Sequence, residues 1–206
     1  MRLNKRIKTG TAAILAVLLF LCGCGKGGGG PLDERIRQTF EELPGFTAQV
    51  RILSDLGDST QEFGGTYVYQ KEGSDTLALQ TPQALEGIAV DISGEDAGNL
   101  TVRYEDTVFD SGMPSRAGLT PADVIPRMLC ELRDAAPLEA WEETVGGVNM
   151  AAARYEIEDE DGRILYQIWL TRDSLHPSYA ECFADGERVL QVFFSEYTAD
   201  TPSGIE

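Results

Sequence analysis

Histidine occurs once in this chain of 206 residues, at His176. It stands in Arg172-Asp173-Ser174-Leu175-His176-Pro177, where Asp173 and Ser174 complete the residue types of a nucleophilic triad. A triad works by geometry, with its members brought from separate segments to face one another. Three residues inside one short, proline-ended stretch point in different directions, and Asp, Ser and Pro favour turns. The stretch therefore reads as a turn. Glu158-Asp159-Glu160-Asp161-Gly162 has the acidic content of a calcium loop. It lacks the alternating ligand spacing and the distal glutamate, so it reads as a solvated hairpin turn. Cys130 and Cys182, with a single histidine, give no zinc-ligand spacing. The glycines from Gly27 to Gly30 follow no strand and so form no phosphate cradle. The 34 acidic residues offer many carboxylate pairs of the kind glycoside chemistry needs, but nothing singles one out. Asn99-Leu100-Thr101 matches a glycosylation acceptor. Beside an N-terminal leader of bacterial type, described next, the match reads as accidental. The residue types thus point to a non-enzymatic chain with no cofactor and no metal.

The N-terminus does imply a chemical modification. Arg2, Lys5, Arg6 and Lys8 precede an apolar run from Thr11 to Leu21, and small residues follow it. About 11 apolar residues are too few to cross roughly 30 Å of hydrocarbon, so the run reads as a cleaved export signal. Leu21-Cys22-Gly23-Cys24 resembles the lipobox of bacterial lipoproteins, with Gly23 as the small residue before the modified cysteine and Leu21 three positions back. That resemblance implies cleavage after residue 23 and lipidation of Cys24 with acyl chains such as palmitate. More than one acyl chain gives stable anchoring. The stretch from Gly25 to Gly30 reads as a flexible tether. The expected organisation is a signal peptide over 1–23, a lipidated cysteine with its tether over 24–31, a folded domain over 32–198 and a disordered tail over 199–206.

The chain has 17 basic and 34 acidic residues. Loss of residues 1–23 removes four basic residues and no acidic one, leaving a net charge of −21. Such a charge repels nucleic acid and favours a protein partner with a basic surface. About 175 residues beyond the tether suffice for one domain with its own core. An oxidising envelope permits a disulfide between Cys130 and Cys182. The alternative is two small buried hydrophobes.

The elements that must position these residues can be read from periodicity. Leu32, Ile36, Phe40 and Leu43 recur at helical spacing, and Pro44-Gly45 stops the helix. From Phe46 to Ile52 apolar and polar residues alternate, as in a half-buried strand. Further strands are expected over Phe63–Gln70, Thr76–Gln80, Ile88–Ile92, Leu100–Tyr104 and Thr107–Phe109, with Gly64-Gly65 marking a bulge. A second helix is expected from Pro121 to about Ala135, capped by Thr120. Five strands then follow over Glu139–Val145, Met150–Ile157, Ile164–Leu170, Tyr179–Ala184 and Arg188–Tyr197. Gly146-Gly147, Asp161-Gly162 and Asp185-Gly186 lie at three of their turns.

The last strands have apolar residues on both faces. Val189, Phe193 and Tyr197 share one side, and Leu190, Val192 and Phe194 the other. Trp169 likewise lies opposite Ile168 and Leu170. A sheet with one wet face does not look like this. Either a curved sheet closes on itself and on loops, or a hydrophobic groove or patch receives a ligand or partner. The candidate residues for such a patch are Trp169, Phe183 and Phe194.

The stretch from Tyr166 to Pro177, then Tyr179–Ala184, Asp185-Gly186 and Val189–Tyr197, resembles the closing hairpins of the LolA-like superfamily. These are outer-membrane lipoprotein carriers and their lipoprotein relatives, among them spore-germination lipoproteins. The resemblance spans residues 32–198. It implies an α+β fold in which an antiparallel, strongly curved sheet, an incomplete barrel, wraps around two helices. The lipobox resemblance implies a lipid-anchored location on the extracytoplasmic side of the cell membrane, where this chain departs from the superfamily's soluble carriers. Two functions come with the superfamily resemblance: an adaptor that docks a cell-envelope or spore-cortex enzyme, or a carrier of lipid or lipoprotein acyl chains in an apolar cavity.

Overall fold

A computed structural model describes residues 31–200 except 56, 58, 94–96 and 160. The stretches expected to form an export signal and a glycine tether, with Cys24, lie outside the described residues, as do residues 201–206.

Helix α1 (Pro31–Glu42) buries Ile36 and Phe40 along the expected apolar stripe. Asp33 and Glu34 in its first turn complement the positive end of its dipole. Six strands follow: β1 (Gly45–Asp55), β2 (Thr60–Gln70), β3 (Asp75–Thr81), β4 (Ile88–Ser93), β5 (Asn99–Tyr104) and β6 (Thr107–Asp110). Phe46, Ala48, Val50 and Ile52 are all buried, the inward half of the period-two pattern in β1. The β2–β3 register shifts between Gly64 and Gly65, where the glycine pair suggested a bulge.

Helix α2 (Val124–Asp134) separates these strands from β7 (Glu139–Val145), β8 (Val148–Asp159), β9 (Gly162–Thr171), β10 (Pro177–Ala184) and β11 (Glu187–Ala199). The helix begins three residues later than expected, and Thr120 does not cap it. Instead the buried Asp123 carboxylate accepts hydrogen bonds from the Gly118 amide (2.7 Å), the Thr120 amide (3.0 Å) and the Thr120 hydroxyl (2.6 Å). That network holds residues 118–123 as a turn before the helix starts. Pro126 sits in the first helical turn, where its missing N–H leaves no bond unmade.

All eleven strands join one antiparallel sheet in the order β6-β5-β4-β3-β2-β1-β11-β10-β9-β8-β7. Each half is a simple meander. The seam between them is the pairing of β1 with β11, which matches Phe46 to Ala199 and Val50 to Phe194. Strand β11 therefore runs one residue past 198, and Ala199, the first residue of the expected tail, is sheet. Because β6 and β7 lie at opposite edges, the connection bearing α2 must run from one side of the sheet to the other. This explains why Val124, Ile125, Met128, Leu129 and Leu132 are all buried.

The expected strongly curved, incomplete barrel does not form. Among the described residues the sheet is open, with edges at β6 and β7 and no pairing between them. Apolar residues on both faces suggested closure, but each face is covered differently. One face packs on α1 and α2, with Phe46, Tyr67, Leu77, Tyr155, Tyr166 and Ile168 in a single core. The opposite, outer face bears aromatic side chains that cover one another.

Candidate functional site

Pairing register builds the outer face. Trp169 of β9 stands beside Tyr179 of β10, Tyr179 beside Phe193 of β11, and Phe193 beside Arg51 of β1. Adjacent residues in register project to the same side, so four strands contribute one row. The ring centroids of Trp169 and Tyr179 are 5.1 Å apart, and those of Tyr179 and Phe193 are 4.8 Å apart. The Arg51 guanidinium closes the row 3.9 Å above the Phe193 ring.

On the other side of Trp169 the row continues through Ala152 of β8 to Trp141 of β7. Ala152 is small and wholly covered, and it lies outside the helix-side core. Both indole N–H groups donate to the same oxygen, Glu143 Oε1, from Trp169 at 2.7 Å and from Trp141 at 3.0 Å. The Arg154 guanidinium lies 5.6 Å from the Trp141 ring centroid and bonds to Glu139 and Gln167. Tyr179 donates to Glu181 at 2.7 Å and accepts from Gln191 at 2.5 Å. Burial first, and the Glu181 carboxylate second, push the Tyr179 phenol up to about 12. It is therefore a neutral donor at physiological pH.

Beside this row the outer face has a groove of about 590 Å³, bordered by Glu143, Val145, Val148, Met150, Trp169 and Tyr179. Val145 and Val148 flank the Gly146-Gly147 turn and are 49% and 58% exposed. Met150 is buried, yet it is not part of the helix-side core. A second hollow of about 320 Å³ lies between Arg154, Arg163, Leu165 and Phe183.

Of the three patch residues read from the sequence, two meet at the groove and one does not. Trp169 lines the groove, and Phe183 lines the second hollow. Phe194 belongs to the helix-side core with Leu190 and Val192, although it also borders the groove. Glu143, Trp141, Tyr179 and Phe193 were not singled out. Their signal was the hairpin register, which aligns Trp141, Trp169 and Tyr179 once the three turns are placed.

The helix side has a smaller hollow among the described residues. A cavity of about 60 Å³ lies between α2 and the sheet, lined by Tyr69, Lys71, Asp75, Cys130 and Arg133 among others. That is space for a few waters, not for an acyl chain. Burial raises the Asp75 carboxyl, which accepts from the Tyr67 hydroxyl at 2.6 Å. Cys130 and Cys182 are buried thiols, and no disulfide joins them. Burial pushes the Cys182 thiol up to about 12.

His176 stacks on Tyr197 with centroids 4.2 Å apart, and burial lowers its pKa. Ser174 shares a hydrogen bond with Thr171 instead, within the turn closed by Thr171 and His176. Among the described residues no group of three or more His, Cys, Asp or Glu is placed to hold a metal ion. No helix among them is long and apolar enough to cross a membrane.

Several solved structures align with this chain over most of its length. A LolA superfamily protein from Nitrosomonas europaea aligns at 14% identity over 82% of this chain and 94% of its own, with a TM-score of 0.42. A DUF1329 family protein from Desulfovibrio piger aligns at 11% identity over 85% and 92%, with a TM-score of 0.47. A chain from the complex of the CwlD amidase with the GerS lipoprotein of Clostridioides difficile aligns at 14% identity over 94% and 98%, with a TM-score of 0.41. With every one of these TM-scores below 0.5, the likenesses carry no argument about what this chain binds. No family model and no curated protein matches the sequence.

Proposed function

We propose that this chain is a membrane-anchored, extracytoplasmic binding module that holds a protein partner on the outer face of its sheet and catalyses nothing itself. One contrast supports this reading above the others. Among the described residues the hollow between α2 and the sheet measures about 60 Å³, whereas the outer face opens a groove of about 590 Å³ walled by Val145, Val148, Trp169 and Tyr179. A carrier of acyl chains needs the reverse, a deep apolar cavity between helices and sheet. Anchoring rests on the Leu21–Cys24 motif, and docking of a cell-envelope or spore-cortex enzyme rests on the sequence resemblance to germination lipoproteins. The formal charge of −17 favours a partner with a basic surface, held less tightly as salt rises.

Native mass spectrometry of the full chain, extracted from its own membrane in mild detergent, tests the reading. The expected spectrum shows the added mass of acyl chains on Cys24 and a co-isolated protein that Val148→Asp releases. A lipid held noncovalently in place of a protein, and retained by Val148→Asp, overturns it in favour of an acyl-chain carrier.

A further inference from the structure

We propose that the outer-face groove takes an arginine or lysine side chain of the protein partner, with Glu143 as the counter-charge and Trp169 and Tyr179 as the wall. This rests on the reading that the partner docks on the outer face. Among the described residues Glu143 is the one charged residue bordering the groove; its other borders are apolar or aromatic save Ser178. Two indole N–H groups donate to Glu143 Oε1 and fix the carboxylate in place. Among the described residues Oε2 of that carboxylate receives no hydrogen bond, so one acceptor remains for an incoming donor.

The same row of rings already holds guanidinium groups at both ends, Arg51 over Phe193 and Arg154 over Trp141. Among the described residues no such cation stands over the middle of the row, at Trp169 and Tyr179. A cation there gains both a carboxylate and ring faces in a site partly withdrawn from water. The exposed Val145 and Val148 suit apolar neighbours of that residue, so the occupant is a basic residue flanked by apolar ones. The net charge of −17 favours such a segment over an acidic one or a second copy of this equally acidic chain.

The chain's two tryptophans are Trp141 and Trp169, and both donate to Glu143. Intrinsic tryptophan fluorescence therefore reports on this site alone. The full chain in detergent micelles is titrated with an acetylated, amidated Val-Arg-Val tripeptide, with its citrulline counterpart, and with tri-valine. The arginine peptide is expected to give a saturable change with a Kd of ~1 mM. The citrulline peptide, isosteric but uncharged, is expected to bind at least ~10-fold more weakly. Glu143→Gln keeps an acceptor for the indoles and is expected to weaken the arginine peptide by a similar factor. Glu142→Gln, whose carboxylate pairs with Arg172 instead, is expected to leave binding unchanged.

Equal binding of arginine and citrulline peptides overturns the cation site, and if tri-valine also binds, docking on the outer face survives. No saturable response to any peptide overturns both. A response that disappears as protein concentration rises, with dimers in sedimentation, assigns the groove to a second copy and overturns the proposal.

Discussion

Glu143 on β7 accepts the indole N–H of Trp169 on β9 at 2.7 Å although a whole strand, β8, lies between them. The bond spans that strand because Ala152, directly beside Trp169 and Trp141, carries only a methyl group and leaves the gap open. Two large rings and a carboxylate thus meet above one methyl group.

Removal of that acceptor has a measurable cost. Glu143→Leu leaves two partly buried indole donors without their partner and is expected to lower stability by about 1–2 kcal/mol. Glu143→Gln is expected to stay within about 0.5 kcal/mol of the parent. Ala152→Leu is expected to separate the rings and destabilise by about 2 kcal/mol, through overpacking. Urea unfolding followed by circular dichroism checks all three, and equal losses for Glu143→Leu and Glu143→Gln would contradict the shared-acceptor account.

Gly118 cannot bear a side chain. Its φ is +87°, and an added Cβ would stand 2.0 Å from the Tyr166 hydroxyl, which donates to the Gly118 carbonyl at 3.2 Å. Gly118→Ala is expected to cost about 3 kcal/mol from backbone strain and displacement of Tyr166 together. Gly186→Ala shares the strain, at φ +90°, but meets nothing within 4 Å. It is expected to cost about 1 kcal/mol. Paired thermal melts that show no difference between the two variants would remove the steric part of the argument.

Asp75 makes stability fall with rising pH. Burial raises its folded pKa above the unfolded value of about 3.9. The folded state therefore holds this proton more tightly than the unfolded one. The Asp75 contribution is fully present below the ordinary carboxylate range and is lost as pH climbs through the raised folded value. Asp91 has the opposite sign, since hydrogen bonding to Arg103 lowers its carboxyl. Its contribution is present above the ordinary range and is lost as pH falls through the lowered value. Urea midpoints measured from pH 3 to 8 are expected to decline less on the alkaline side for Asp75→Asn than for the parent. Parallel profiles would refute the assignment to Asp75.

Cys182 is expected to resist alkylation in the folded protein. Its thiol is buried, donates to the Gly118 carbonyl at 3.7 Å and is pushed up to about 12. At pH 8 its thiolate is scarce as well as inaccessible. Iodoacetamide labelling read by peptide mass spectrometry is expected to be at least ~100-fold slower at Cys182 in buffer than in urea. A peptide bridged to Cys130 without reduction would show a bonded form that this structure does not contain.

The reach of the sequence ended where local pattern gave way to long-range pairing. Period-two alternation from Phe46 to Ile52, the helical stripe of Leu32, Ile36 and Phe40, and glycine turns at 146–147, 161–162 and 185–186 are properties of neighbouring residues. They placed both helices and all eleven strands to within a few residues, and the export-signal pattern in residues 1–24 is equally local. Helix α2 began late because the Asp123 carboxylate turns back to Gly118 and Thr120, a choice that periodicity does not encode. The open sheet, the seam that joins Val50 to Phe194, and the convergence of Trp141 and Trp169 on Glu143 were decided by tertiary structure. Apolar residues on both faces of a strand record only that both are covered. Whether a closed barrel, a partner or the sheet's own rings do the covering depends on which distant strands pair, and in what register.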